Sequence, residues 1–390
     1  MSCEARISTQ IHTDKKTAVD SMNDPPFKNA TIALIGVGLI GGSLGLALKR
    51  LGIGREIVGI SRDETLREAR ALGVIDVGFT YDALTEGLQK ADLVFLCAPI
   101  SRIMEQLPDV IQAVPSGCVV SDVGSTKRAL VDKAEAIGRS DVFFVGGHPM
   151  AGSEKSGVGA ADPFLFENAL YVLTPAAGVP DAPMNEMVAL VRSLGARPMH
   201  MDAETHDRVA AAVSHLPQMI ATSLVNLVGR LNEADGLPLQ MAAGGFRDLT
   251  RIASSPFAMW RDICQTNTAP IREMLGAYIS ELITIRDKVN QSTLSDDFAY
   301  ANKVRNGIPK DSKGFLHPLH EVMLLVEDKP GVIADAASRL AKRDINIEDI
   351  EVLKVREGEG GTIRMGFDKQ VDAEQAVHIL GAAGYQVRLR

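Results

Sequence analysis

The stretch Thr31-Ile-Ala-Leu-Ile-Gly-Val-Gly-Leu-Ile-Gly-Gly-Ser43 constrains this chain more than any other part of it. A short apolar run reaches Gly36, and a segment rich in small and apolar residues begins by Gly41, so a strand turns directly into a helix. Gly36, Gly38 and Gly41 fit G-x-G-x-x-G, in which each missing side chain has a job. The first glycine permits a tight turn, the second lets backbone approach a pyrophosphate, and the third lets the helix pack close to the strand. Free backbone amides at the helix start, those of Leu39, Ile40 and Gly41, then meet the phosphates together with the positive end of the helix dipole. A strand before, a helix after and an early position in the chain make this a dinucleotide-binding turn.

At 390 residues the chain is expected to hold two or three domains. Apolar residues at 46% and charged residues at 23% are those of a globular protein with real cores. A net charge of −8 argues against nucleic acid or an anionic membrane as the main partner. An anionic small molecule then needs a local basic site. The four cysteines are widely spaced with no C-x-x-C pair, and the histidines lack H-x-x-x-H, so no metal is expected. Residues 1–29 are polar and of mixed charge, which reads as a loose tail and not as a signal or transit peptide. No apolar run approaches a membrane span, and a cytoplasmic location is expected.

Residues 30–180 alternate strand and helix, with candidate strands at Thr31–Ile35, Glu56–Ile60, Leu93–Ala98, Cys118–Val123, Val142–Val145 and Ala169–Thr174. Near-continuous apolar strands in β-α alternation predict an α/β, doubly wound parallel sheet whose ligand lies beyond the carboxyl ends of the strands. Residues 181–305 read as all-helical. Val209, Ala212, Val213, Leu216, Ile220, Leu224, Leu227 and Leu231 form one apolar face, with Asp202 as its N-cap and Pro217 as a kink. Ser255-Pro256 reads as an N-cap followed by a first-turn proline. So many apolar helix faces in so short a block predict a homodimer through it. Residues 306–319 read as a linker, and 320–390 as β-α-β-β-α-β, a small ferredoxin-like domain.

The chemistry is expected where loops leave the carboxyl ends of these strands. Past the second strand, Ser61 and Arg62 stand where dinucleotide folds place an acid on the adenosine ribose, and Asp63 comes two places late. A small hydroxyl beside an arginine suits a ribose 2′-phosphate and favours NADP over NAD; Asp63 on a bare ribose is the other arrangement. Val120–Lys127 presents Ser125 and Lys127 at a helix start, and Val145–Gly152 presents His148 in a glycine-rich loop with no evident packing duty. His215 lies beside Pro217, and is either a satisfied core residue or part of the site. Arg247 and Arg251, four apart, form a candidate anion clamp, with intrahelical pairing to Asp248 as the bland reading. Trp260 reads as core.

Five motifs occur together and in order: Gly36-Val-Gly-Leu-Ile-Gly-Gly-Ser43, Asp122-Val-Gly-Ser-Thr-Lys127, Gly147-His-Pro-Met-Ala-Gly152, Ser214-His-Leu-Pro217 and Phe246-Arg-Asp-Leu-Thr-Arg251. The combination resembles the prephenate/arogenate dehydrogenases of tyrosine biosynthesis over residues 30 to about 300. The last block, with Asp328-Lys-Pro-Gly331 and Ile345-Asn-Ile347, resembles an ACT domain, which implies an amino-acid regulator held near Asp328, Gly331 and Asn346. The resemblance implies a Rossmann-like domain, NAD or NADP as cofactor, and oxidative decarboxylation of prephenate, or of its amino counterpart arogenate. It further implies His148 as proton acceptor, Ser125 on the same ring hydroxyl or on the imidazole, and Arg251 as carboxylate clamp with Arg247 as the weaker candidate. His215 and Lys127 would then line the substrate, and L-tyrosine would be the effector. A β-hydroxyacid dehydrogenase would need a lysine base beside Ser214–Pro217, where none stands. A non-enzymatic redox sensor would have no use for a proton acceptor.

Overall fold

The computed structural model of the chain describes residues 26–152, 155–308, 319–327, 329–353 and 361–389. These divide into two compact units, one running to Leu275 except for Glu167–Ala169, the other comprising Glu167–Ala169 and Gly276–Arg390.

The first unit is built on β1 (Thr31–Ile35), β2 (Glu56–Ile60), β3 (Val77–Phe79), β4 (Leu93–Leu96), β5 (Val119–Asp122), β6 (Phe143–Pro149), β7 (Leu170–Pro175) and β8 (Arg197–His200). Their order is β3-β2-β1-β4-β5-β6-β7-β8; β1–β6 run parallel, and β7 and β8, parallel to each other, run the opposite way. β1 and β4 are neighbours at the point where the strand order reverses, so the glycine turn leaving β1 opens onto the crevice of the sheet. Helices α1 (Leu39–Leu51), α2 (Asp63–Ala71), α3 (Leu84–Leu88), α4 (Ile100–Ala113), α5 (Arg128–Ile137) and α6 (Asp181–Ser193) connect the strands. Two apolar cores form, one containing Ile32, Leu34, Leu44 and Leu48, the other Ala33, Ile35, Ile103 and Leu107. Alternate residues of β1 therefore feed opposite faces, which is why its sequence is apolar throughout.

Three sequence expectations need correction here. β3 and β8 were not anticipated, and β8 carries the sheet on to His200, past the expected change of character at 180. Both are short edge strands, only partly buried or exposed, so they lack an apolar run. β6 does not stop at Val145 but continues through His148, which pairs with Val172 of β7. His148 therefore sits in a strand and not in a loop; two glycines had hidden the extended backbone. Ser255 does not cap a helix: its hydroxyl donates to the Ile252 carbonyl at 2.8 Å.

Beyond the sheet come α7 (Ala203–Ala210), α8 (Leu216–Asn232), α9 (Leu237–Gln240), α10 (Gly244–Thr250), α11 (Phe257–Thr266), α12 (Thr268–Lys288) and α13 (Leu294–Gly307). Asp202 caps α7, accepting the Thr205 amide at 2.8 Å. Residues Ala211–His215 form a π-turn between α7 and α8, with Pro217 in the first turn of α8. A proline that donates no amide fits that junction, where the ladder of hydrogen bonds is already re-registered. The combined run Ala203–Asn232 is long and apolar enough by composition to cross a membrane, contrary to the sequence expectation. Its buried residues nevertheless include His206, Asp207, His215 and Gln218, which makes it an unusual membrane span. Much of its apolar face is uncovered: Val213 is 66%, Leu227 52% and Leu231 58% exposed.

In the second unit the last turns of α12 also expose Ile279, Leu282, Ile283 and Ile285. α13 continues to Gly307, so the expected linker starts later than 306, and its remainder falls largely outside the described residues. The terminal domain contains β9 (His320–Val326), α14 (Val332–Ala341), β10 (Asp349–Leu353), β11 (Gly361–Phe367), α15 (Gln370–Ala382) and β12 (Gln386–Leu389). Its antiparallel sheet has the order β10-β11-β9-β12. Val322, Leu324, Ile363 and Met365 face Ala336, Leu340, Ala376 and Leu380 of the two helices. The second strand of this domain begins only at Asp349, since Ile345 turns into that core and Asp344 takes φ +58°.

Candidate active site

The glycine turn is shaped for a ligand. Gly36 has φ +91°, and a Cβ there would lie 2.6 Å from the Cys97 carbonyl oxygen. A Cβ on Gly41 would fall 2.2 Å from the Gly36 carbonyl oxygen, so the start of α1 rests directly on the turn. A Cβ on Gly38 would meet nothing within 4 Å. Two glycines are thus needed by the protein itself, and the third faces open space beside the α1 amides of Leu39, Ile40 and Gly41. That is the geometry a dinucleotide pyrophosphate needs, so the residues present fit the group.

At the end of β2, Ser61 is buried, while Arg62 is exposed at the N-cap of α2. Asp63 opens α2 and lies 3.5 Å from Arg67 one turn on.

A second cluster lies at the ends of β5 and β6. Asp122 accepts the Gly124 amide at 2.7 Å and the Gly147 amide at 3.1 Å. Lys127, at the N-cap of α5, is fully enclosed, with its ammonium on the Asp122 carboxylate and on the Gly147 carbonyl at 2.6 Å. Burial pushes this ammonium below its ordinary pKa, and Asp122 pulls it back. Lys127, expected to line the substrate, has no exposed side-chain surface and fastens the strand that carries His148. A Cβ on Gly147 would lie 2.5 Å from the Asp122 carbonyl oxygen, so glycine alone lets β6 come this close to β5.

His148 is 9% exposed. Its Nδ1 lies 2.8 Å from His206 Nε2, the rings meeting edge to face at 68°. His206 Nδ1 lies 2.8 Å from Asp207 Oδ1. The same carboxylate accepts the amides of Lys127 at 2.7 Å and Arg128 at 3.0 Å, seating α7 on the N-terminus of α5. Burial drives the His148 pKa well below the usual imidazole range, and Lys127, His206 and His215 push it the same way. The imidazole is accordingly neutral at pH 7.

Asn267 extends the cluster. Its side-chain nitrogen lies 2.8 Å from the Asp207 carbonyl oxygen and 3.1 Å from His215 Nδ1. His215 is buried, edge-on to Trp260 with ring centroids 5.9 Å apart, and Trp260 packs, as expected of a core residue, against the apolar cluster of Ile100, Ala211, Ile263 and Ile271. Burial lowers the His215 pKa to about 4, with Asp207 acting against the shift and His206 with it. Ser125 is half-buried in the turn between β5 and α5, and no hydrogen bond joins it to His148. Arg247 on α10 and Arg251 just after it are exposed, and neither is ion-paired among the described residues. The Asp248–Arg251 pairing weighed from the sequence does not form.

Sequence reasoning missed Asp122, His206, Asp207 and Asn267. The only available hint was the His206-Asp207 pair one turn past the Asp202 cap, in a helix expected to bury an apolar face.

The model for the prephenate dehydrogenase nucleotide-binding domain matches residues 44–200, and that for the prephenate dehydrogenase dimerization domain matches 202–301. Prephenate dehydrogenase of Bacillus subtilis (strain 168) is 38% identical over 357 residues, which is 90% of this chain and 96% of that one. The chain belongs to the prephenate dehydrogenase family.

An ACT domain model of the AHAS small subunit type matches 322–383, so this member of the family carries a C-terminal ACT domain. Prephenate dehydrogenase of Lactococcus lactis subsp. cremoris (strain MG1363) is 34% identical over 90% of this chain and 98% of its own length. The crystal structure of Synechocystis arogenate dehydrogenase is similar at TM-score 0.64 and 29% identity, covering 71% of this chain and 99% of that chain. Prephenate dehydrogenase from A. aeolicus, crystallised with hydroxyphenyl propionate and NAD+, is similar at TM-score 0.63 and 29% identity, covering 74% and 98%. The fold is thus a Rossmann-like sheet, a helical dimerisation domain and an ACT domain, and the family is one of dinucleotide-dependent oxidoreductases. Of the residues expected to hold a regulator, Gly331 caps α14 with φ +92° and the Asn346 amide donates to Glu348 at 2.7 Å. Asp328 lies outside the described residues.

Proposed function

We propose that this chain oxidatively decarboxylates prephenate to 4-hydroxyphenylpyruvate with NAD(P)+ as oxidant, in the route to L-tyrosine. The observation that carries the reading is the neutral, buried His148 at the carboxyl end of β6, on the sheet edge where the glycine turn leaves β1. The dinucleotide, seated on Gly36, Gly38 and the α1 amides, supplies the hydride acceptor. His148 accepts the proton of the ring hydroxyl through a ring nitrogen as the carbinol carbon loses hydride and its C–O bond becomes a carbonyl. Loss of the ring carboxylate as carbon dioxide leaves its electron pair in the ring, and the oxygen recovers the proton from His148 as the ring becomes aromatic. Ser125 donates to or accepts from the same oxygen. Arg251, supported by Arg247, binds a substrate carboxylate, the local positive charge that an acidic chain needs for a dianion. His215 borders the substrate.

The exposed Arg62, with Asp63 turned to Arg67, favours NADP over NAD. Exposed Leu227 and Leu231 on α8 support a homodimer through the helical domain, the ACT domain supports inhibition by L-tyrosine, and a cytoplasmic enzyme fits all of these. The test is absorbance at 340 nm with prephenate or arogenate and each cofactor in turn. Reduction of NADP+ with prephenate is expected. No reduction with either acid would overturn the activity, faster turnover of arogenate would reassign the substrate, and a large preference for NAD+ would overturn the role of Arg62.

A further inference from the structure

We propose that His206 and Asp207 are positioning residues: a carboxylate–imidazole relay that fixes the tautomer of His148 and leaves its Nε2 bare toward the reacting hydroxyl. The inference rests on the role proposed above for His148 and extends it to two residues that touch neither substrate nor cofactor. An ionised carboxylate only accepts hydrogen bonds, so the proton between His206 and Asp207, 2.8 Å apart, belongs to His206 Nδ1. The imidazole form of His206 then has no proton on Nε2. Across the 2.8 Å contact that nitrogen accepts, and His148 Nδ1 donates. With its one proton held on Nδ1, neutral His148 has a lone pair on Nε2 and nowhere else.

Asp207 is itself immobilised. Two α5 amides fill its carboxylate, and Asn267 holds its carbonyl. His206 and Asp207 are 3% and 2% exposed, so water does not compete for these bonds. The groups around His148 are Lys127 on the α5 cap, paired to Asp122 of β5, then His206 and Asp207 on α7, and His215 on the π-turn. Three of these, Lys127, His206 and His215, are cations or potential cations, and only an orienting carboxylate behind His206 selects the tautomer that leaves a base instead of a donor.

The test compares His206→Phe, which removes both ring nitrogens at similar volume, with His206→Gln, which keeps an acceptor for the His148 Nδ1 proton. In the full-length enzyme His206→Phe should lower kcat about 10- to 100-fold, with KM for prephenate and the cofactor Kd within about twofold. His206→Gln should restore most of the loss. Equal damage in both variants, wild-type kcat in His206→Phe, or a change confined to KM would overturn the relay. A second measurement does not depend on turnover or on the variants folding. Nitrogen-15 shifts of histidine-labelled wild-type protein should report His148 with Nδ1 protonated and Nε2 bare, and the reverse tautomer would overturn it. Because that readout needs no substrate, a chain that failed to oxidise prephenate but showed this tautomer would fail the functional reading alone.

Discussion

Lys127 and Asp122 form an ion pair with no solvent-exposed surface on either side chain, bridging the turn from β5 to α5 and gripping Gly147 from both sides through its amide and its carbonyl. The pair sits directly beneath His148. Removing one member strands a buried charge, whereas the intact pair gains little over an apolar one. Lys127→Met should therefore destabilise the fold by about 3–5 kcal/mol in urea titration. A midpoint equal to wild type would show that the pair does not fasten β6.

Replacing His148 tests the base directly. His148→Asn keeps a polar group of similar reach but no titratable nitrogen, and should cut kcat about 10²- to 10⁴-fold. Cofactor affinity should hold, because the glycine turn is built on β1 and α1. Near-normal turnover would remove His148 from the chemistry.

The carboxylate clamp makes a different kinetic forecast. Arg251 is exposed and unpaired among the described residues, so truncating it costs the fold little. Arg251→Ala should raise KM for prephenate by the equivalent of about 2–5 kcal/mol of lost charged contact, with a smaller change in kcat. A KM near wild type would move the clamp elsewhere, with Arg247 next in line.

Gly38 and Gly41 should separate cofactor binding from folding. A methyl at Gly38 projects into open space, so Gly38→Ala should keep the thermal midpoint and weaken cofactor binding in a fluorescence titration. A methyl at Gly41 has the Gly36 carbonyl oxygen at 2.2 Å, so Gly41→Ala should lower the midpoint as well. Equal behaviour of the two variants would contradict the assignment of open space to the ligand.

Acid stability follows from the histidines. In the unfolded chain an imidazole takes up its proton near 6.5, while His215 in the native state holds out to about 4. Between those values the unfolded state binds more protons, so stability rises with pH across this window and is lost on acidification. His148, depressed for the same first reason, burial, acts in the same direction. Urea midpoints should fall from pH 6.5 toward 4, and His215→Phe should flatten the slope. An unchanged slope in that variant would show that His215 is protonated without penalty.

Much of this architecture was legible in the chain. β1, β2, β4 and β5 are apolar because both faces of the sheet are covered, and the terminal β-α-β-β-α-β order appeared in its periodicity. β3 and β8 escaped notice because edge strands carry little apolar signal. Gly146-Gly147 read as loop, yet those glycines are what allow β6 to lie against Asp122 and Thr174. The ligand-facing residues left marks of type and spacing. The layer behind them did not: Asp122, His206 and Asp207 are defined by partners from other elements, and a buried charge looks the same in a sequence as a solvated one.

The π-turn at Ala211–His215 has a geometric effect on this cluster. At 3.6 residues per turn, positions nine apart stand on opposite sides of a helix, so His206 and His215 would point away from each other in unbroken α geometry. The widened turn accommodates one more residue without completing another revolution, and it swings the second imidazole round to the side where Asn267 reaches both it and the Asp207 backbone. A local stretch of loosened winding thus converts an ordinary rod into a two-pronged holder for nitrogen bases.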